Sequence, residues 1–315
     1  MSRPVADSKQ LKLRLLVVAI TAVALFVIVP HIGSFRSSLQ TIGQARPGLL
    51  LAGLGCFGAT YLAAALTYTL LAPRRLSYRE SWLVAIASGF TGKLLPAGAG
   101  GIATYYLYLM KQRHTAGQAA SVVAVNNILG FVGHSTIVLV AGLSASRQAS
   151  LSIKPDTGTA AWVTAGLLLA LLGAYFVLRP GKTARRLRTV LKTFVANLAD
   201  YRQRPFRLLA AYLSSLLLTG SYAVCLYFCL QAVGGSLSWP EVVAVFTVGM
   251  AANSIAPTPG GIGAVEAGLV AAMVAYNVPA AVALAASLLF RLITYWLSII
   301  LGIGGLVVAR RQKLV

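Results

Sequence analysis

Lys93-Leu-Leu-Pro96-Ala-Gly-Ala-Gly100-Gly101-Ile102 and Asn253-Ser-Ile-Ala-Pro257-Thr258-Pro-Gly260-Gly261-Ile-Gly263 decide the reading of this chain. Each motif interrupts an apolar stretch long enough to enter a bilayer, where a membrane helix needs about 20 residues. Proline removes a backbone donor and clashes with the preceding turn, so a helix cannot run through. Irregular backbone at that depth survives only where protein buries it or where it lines a polar cavity, and paired broken segments in two halves of a chain mark a transporter's binding site. The pattern predicts two helical hairpins, over 81–110 and 241–276, with the motifs at their tips.

Around these stretches the chain is apolar throughout: 58% hydrophobic and 10% charged over 315 residues, with a mean hydropathy of +0.79. It reads as a single membrane domain, 1–315, with no segment left for a water-soluble one. Six carboxylates face twenty-seven Lys and Arg, too few acids for paired-carboxylate catalysis or a carboxylate metal cage. Cys56, Cys225 and Cys229 fall in apolar segments, and His31, His114 and His134 lack metal-ligand spacing. No enzyme, cofactor, metal or nucleic-acid function is expected.

Continuous apolar stretches at 13–30, 48–72, 116–143, 160–178, 208–231 and 279–309 predict six crossings. The first follows a basic amino terminus without a small-x-small cleavage site, which predicts an uncleaved span. If both broken stretches return to their own side, one face collects twenty-one Lys and Arg and the other only four. That asymmetry places the basic face, with both termini, in the cytoplasm of a multi-pass protein of the inner (plasma) membrane. The order of spans then repeats upside down. The fold expected is an all-α polytopic integral membrane protein of about six transmembrane helices and two opposed re-entrant hairpins, with inverted repeats at 1–158 and 159–315. The segment 180–205 alternates basic and apolar residues with a helical period. It reads either as an amphipathic helix on the cytoplasmic leaflet or as a solvated loop that fixes topology.

Three formal charges lie deep in apolar segments: Lys93, Glu266 and Arg291. Each costs about 2.5 to 3.5 kcal/mol or more if left against lipid, so each needs a partner or water. Glu266 and Arg291 form the natural ion pair, which leaves Lys93 unmatched and the site net positive. A positive cluster between hairpin tips rich in backbone N–H groups suits an anion such as a phosphate. The competing reading is a structural lock between Glu266 and Arg291 with Lys93 reaching toward the cytoplasm. Asn126 and Asn127, with Asn253 and Thr258 beside the second tip, either line a polar route or bridge neighbouring helices. Tyr105, Tyr106 and Tyr108 read as an interfacial belt. The candidate substrate-binding set is therefore Lys93, Pro96, Gly100, Gly101, Asn126, Asn127, Asn253, Thr258, Gly260, Gly261, Glu266 and Arg291.

The run from Asn253 through Pro257, Pro259, Gly260, Gly261 and Gly263 to Glu266, followed by Leu289-Phe-Arg291-Leu-Ile-Thr-Tyr295-Trp296, resembles the lysylphosphatidylglycerol synthase transmembrane-region family. The resemblance covers nearly the whole chain and implies a flippase-like domain without the soluble aminoacyl-transferase part that some relatives carry. The first motif departs from the family pattern, with Gly101 and Thr104 where relatives tend to place an acid and an arginine. The function expected is translocation of an anionic membrane lipid or a polyprenyl-phosphate-linked sugar. The alternative is an accessory or scaffold subunit for enzymes of cell-envelope glycolipid or phospholipid synthesis. No GxxxxGK[ST] loop is present, so any use of ATP would be external.

Overall fold

A computed structural model describes residues 32–95, 98–148, 201, 204–255 and 258–315. Among them every regular element is helical: α1 Ile32–Gly43, α2 Pro47–Leu71, α3 Tyr78–Leu94, α4 Ala99–Lys111, α5 Ala116–Gln148, α6 Pro205–Ala232, α7 Trp239–Ile255, α8 Ala264–Ala275, α9 Ala280–Arg291 and α10 Ser298–Arg311. A 3-10 turn at Pro259–Gly261 precedes α8, and a π-helical turn at Leu292–Leu297 joins α9 to α10. The expected spans 13–30 and 160–178, nearly all of the 180–205 segment, and Pro96 and Pro257 lie outside the described residues.

Among the described residues four helical stretches are long and apolar enough to cross a membrane: Pro47–Leu71, Ala116–Ser144, Pro205–Ala232 and Ala280–Arg311, the last made of α9, the π-helical turn and α10. They coincide with four of the six expected crossings. The largest helix–helix contact pairs α2 with α6. Small residues face each other there, letting the backbones approach without a driving force from water. The Arg46 N–H donates to the Ala232 carbonyl at 2.9 Å, Ser214 Oγ to the Ala63 carbonyl at 2.8 Å and the Tyr201 hydroxyl to the Leu71 carbonyl at 2.8 Å. These bonds make α2 and α6 antiparallel.

Both interrupted stretches are hairpins. In the first, Thr91 and Thr104 hydroxyls meet at 2.8 Å, Ser81 and Tyr108 hydroxyls at 3.1 Å, and Gln112 Nε2 donates to Glu80 Oε2 at 3.1 Å, a nested set that only antiparallel helices can make. In the second, Asn253 packs on Gly261, and Gly268 lies against Ala252 and Gly249. The first hairpin starts and ends where α2 ends, α5 begins and α10 ends. The second opens at the opposite end, where α6 ends and α9 begins, and the two meet at their tips. Arg74, Arg75, Arg79, Lys111, Arg113, Arg204, Arg207, Arg310, Arg311 and Lys313 all belong to the first of these ends.

The tyrosines after the first tip differ from the belt expected. Tyr105 and Tyr108 are buried in the helix packing, Tyr105 stacked on Tyr68 with ring centroids 3.6 Å apart. Their face of α4 is turned toward α2 and α3, so protein rather than the membrane interface solvates the rings.

In the turn between α4 and α5, His114 is buried and tied on both sides. Its Nε2 accepts from the Arg74 N–H at 3.4 Å and its Nδ1 donates to the Leu109 carbonyl at 3.1 Å. This arrangement requires the neutral ring. Burial holds its pKa below the ordinary 6.5, and the Arg74 charge acts in the same direction against the Leu109 bond. The unfolded chain therefore takes up the proton first as pH falls, so stability is full above the ordinary value and declines below it. Unfolding midpoints are expected to drop between about pH 7 and about pH 5, and a His114→Gln variant to lack that part of the decline. Superimposable profiles for the two proteins would refute the tie.

Candidate functional site

The three deep charges come together where the hairpin tips meet. Glu266 sits at the start of α8, where one carboxylate oxygen accepts the Gly263 N–H at 2.8 Å and so closes the helix terminus. The other oxygen accepts from Arg291 Nε at 2.7 Å. Arg291, at the end of α9, also donates from a terminal nitrogen to the Gly260 carbonyl at 3.0 Å. One guanidinium thus holds both the helix start and the turn before it, using two of its five fixed donors. The Arg291 side chain is 6% exposed against 21% for Glu266, so the guanidinium is enclosed by protein and the carboxylate partly so.

Lys93 reaches the same place from the last turn of α3. Its ammonium lies 5.6 Å from the centre of the Tyr295 ring, and the Arg291 guanidinium lies 4.4 Å from that centre. Tyr295 is buried and belongs to the π-helical turn, an element found often at functional sites. One aromatic ring therefore stands beside two cations that would otherwise repel. Among the described residues no carboxylate pairs with Lys93.

Gly260 has φ +59 and a Cβ placed there would collide with the Tyr295 ring. Only glycine lets the second tip lie this close to the ring while the backbone holds a left-handed conformation.

The other expected site residues take different places. Asn253 packs against Gly261, and Thr258 donates to the Ile262 carbonyl at 3.2 Å, so both brace the second tip. Gly100 and Gly101 lie in the first turn of α4, against Thr91 and Gly92 of α3. They close the first hairpin rather than touch the charged cluster. Asn126 is half-buried and Asn127 exposed on α5, and no hydrogen bond among the described residues ties either one to the cluster. His134 packs beside the Phe246 ring. No group of three or more His, Cys, Asp or Glu side chains among the described residues is placed to hold a metal.

Reading the charges alone missed Tyr295 and the backbone groups of Gly260 and Gly263. An aromatic in an apolar span carries no periodic signal of its own, and backbone donors and acceptors carry none.

Residues 14–302 match the family described as the lysylphosphatidylglycerol synthase TM region, and the chain belongs to that family. It is also 27% identical over 187 residues to a UPF0104 membrane protein of Pyrococcus horikoshii. That alignment covers 59% of this chain and 55% of the relative.

Proposed function

We propose that this member of the family is a lipid translocase: the headgroup of an anionic lipid, or of a polyprenyl-phosphate-linked sugar, passes the cluster of Lys93, Arg291 and Glu266 while the tail stays in the bilayer. The observation that carries the reading is the meeting of two opposed hairpin tips around a cluster with one carboxylate and two cations. The carboxylate is committed to Arg291, so Lys93 is the charge available to a phosphate. The hairpins re-enter the membrane from opposite faces in this account, and the end with the basic excess is cytoplasmic. The chemistry requires no bond to be made or broken in the lipid, so the protein acts as a transporter and not an enzyme.

Reconstitution of the purified protein in vesicles carrying a headgroup-labelled phosphatidylglycerol tests the reading. Movement of label between leaflets without chemical change is the expected result. Conversion of the lipid to a new species would make the protein an enzyme, and neither outcome would favour an accessory subunit of envelope synthesis. Single cysteines replacing the exposed Lys111 and Ser236 in a cysteine-free background are expected to label from opposite sides. Labelling of both from one side would overturn the re-entrant arrangement.

A further inference from the structure

Beside the first hairpin, on the outer surface of the described helices, lies a groove of about 370 Å³ between α4 and α10. Leu94 stands at its tip end, Leu107 and Leu306 wall it, and Arg310 stands at its far end. Gly302 packs on Phe90 and Gly305 on Ile86 and Ala87, so α10 runs antiparallel to α3 and carries Arg310 level with the start of the hairpin. At about 1.5 Å of rise per residue, the groove runs about 20 Å, somewhat more than one leaflet of a bilayer whose hydrocarbon core is about 30 Å.

Its floor is Thr91 and Thr104, whose hydroxyls bond each other at 2.8 Å. Thr104 also donates to the Gly100 carbonyl at 2.9 Å. With these polar atoms already partnered, the groove makes no demand on a polar guest and suits hydrocarbon. At the far end, Arg310 is exposed beside the basic end of the molecule, where Arg311, Lys313, Lys111 and Arg113 also lie; against these, the negative groups there among the described residues are Glu80 and the carboxyl end at Val315, which also lines the groove. A groove that is apolar along one leaflet and cationic at the interface matches one amphiphile of the opposite charge.

We propose that this groove seats an anionic phospholipid, one acyl chain lying along Leu107 and Leu306 toward the hairpin tip and the phosphate held at Arg310. The proposal rests on the translocase reading and extends it: the groove is where the tail stays while the headgroup moves from Arg310 toward Lys93 at the tip.

The test uses the full chain in phosphatidylcholine vesicles containing a minority of phosphatidylglycerol whose acyl chain carries a diazirine. After illumination, adducts are mapped by peptide. They are expected on α4 and α10, in excess over those from a diazirine phosphatidylcholine. Filling the groove by Ala103→Trp is expected to lower the α4 and α10 adducts about tenfold, with adducts on the exposed α5 face around Phe131 and Leu139 unchanged. Leu107→Trp is the second groove-filling variant, and the one whose unfolding midpoint matches the parent is used. Arg310→Gln is expected to abolish the preference for phosphatidylglycerol. Equal labelling of α5 and the groove, indifference to the filled groove, or no headgroup preference would each overturn the proposal. Labelling does not depend on transport: specific adducts in a protein that moves no lipid would overturn the translocase reading and leave the lipid site standing.

Discussion

Glu266→Gln is expected to destabilise the protein by about 3 to 5 kcal/mol, the cost of leaving one member of a buried ion pair alone. Among the described residues Glu266 is the carboxylate that neutralises Arg291, whose side chain is 6% exposed. The same carboxylate accepts the Gly263 N–H that begins α8. A glutamine keeps one acceptor for that N–H but brings a second donor against a guanidinium that has only donors. Arg291→Gln should cost a similar amount, because Glu266 and the Gly260 carbonyl both lose their partner. Exchanging the two residues is not expected to rescue folding. An arginine at 266 would point at the Gly263 N–H, and a glutamate at 291 at the Gly260 carbonyl. Unfolding midpoints of the purified variants check this, and losses within about 0.5 kcal/mol, the range of ordinary surface substitutions, would remove the pair from the structural core.

Gly100→Ala is expected to destabilise by about 1 to 3 kcal/mol, as overpacking of a tight contact does. A Cβ at this position falls onto the Thr91 carbonyl, which belongs to the backbone of α3 and cannot turn aside. The two helices must separate, and the Thr91–Thr104 hydrogen bond at 2.8 Å opens with them. Gly130 provides the contrast. It lies within α5 with no atom of the described residues within 4 Å of where its Cβ would be, so alanine there should gain up to about 1 kcal/mol of helix propensity. Opposite signs for the two substitutions are the expected result. Equal effects would mean that α3 and α4 do not approach closely at the first tip.

Much of this arrangement could be read from the chain before any coordinates. The break in each of the two apolar stretches, with an antiparallel helix on either side, followed from proline and glycine at matching places, because few other causes stop an apolar helix. Lys93, Glu266 and Arg291 stood out because an ionised side chain in an apolar stretch must find a partner. Depth along the helix was enough to bring them together. What could not be read was the content of the contact. The Gly260 carbonyl, the Gly263 N–H and the close approach of Gly260 to the Tyr295 ring depend on glycine backbone at φ values near +60 to +80, and residue types do not record which backbone atoms end up unpaired. Tyr105 and Tyr108 went the other way. Three tyrosines just beyond a tip matched an interfacial belt by type, yet the face they occupy is decided by where α2 packs, a long-range matter that local pattern does not carry.

The two glycine-rich tips also divide their work in a way that their similar composition hides. Gly100 and Gly101 allow α3 and α4 to touch, whereas Gly260 allows the second turn to lie against Tyr295 beside Arg291 and Lys93. The second motif supplies the turn and the helix start that Arg291 holds. The first contributes Lys93, its opening residue, which shares Tyr295 with Arg291.

Translocation as proposed requires that the cation at the first tip meet the headgroup as it crosses. Its most direct test is leaflet-to-leaflet movement of headgroup-labelled phosphatidylglycerol by Lys93→Ala and Lys93→Arg in reconstituted vesicles, alongside their unfolding midpoints. Lys93 is half-buried with no carboxylate partner among the described residues, so both variants should fold as the parent does. Alanine is expected to slow movement about tenfold or more while arginine retains most of it. Movement at the parental rate by a folded Lys93→Ala protein would contradict it.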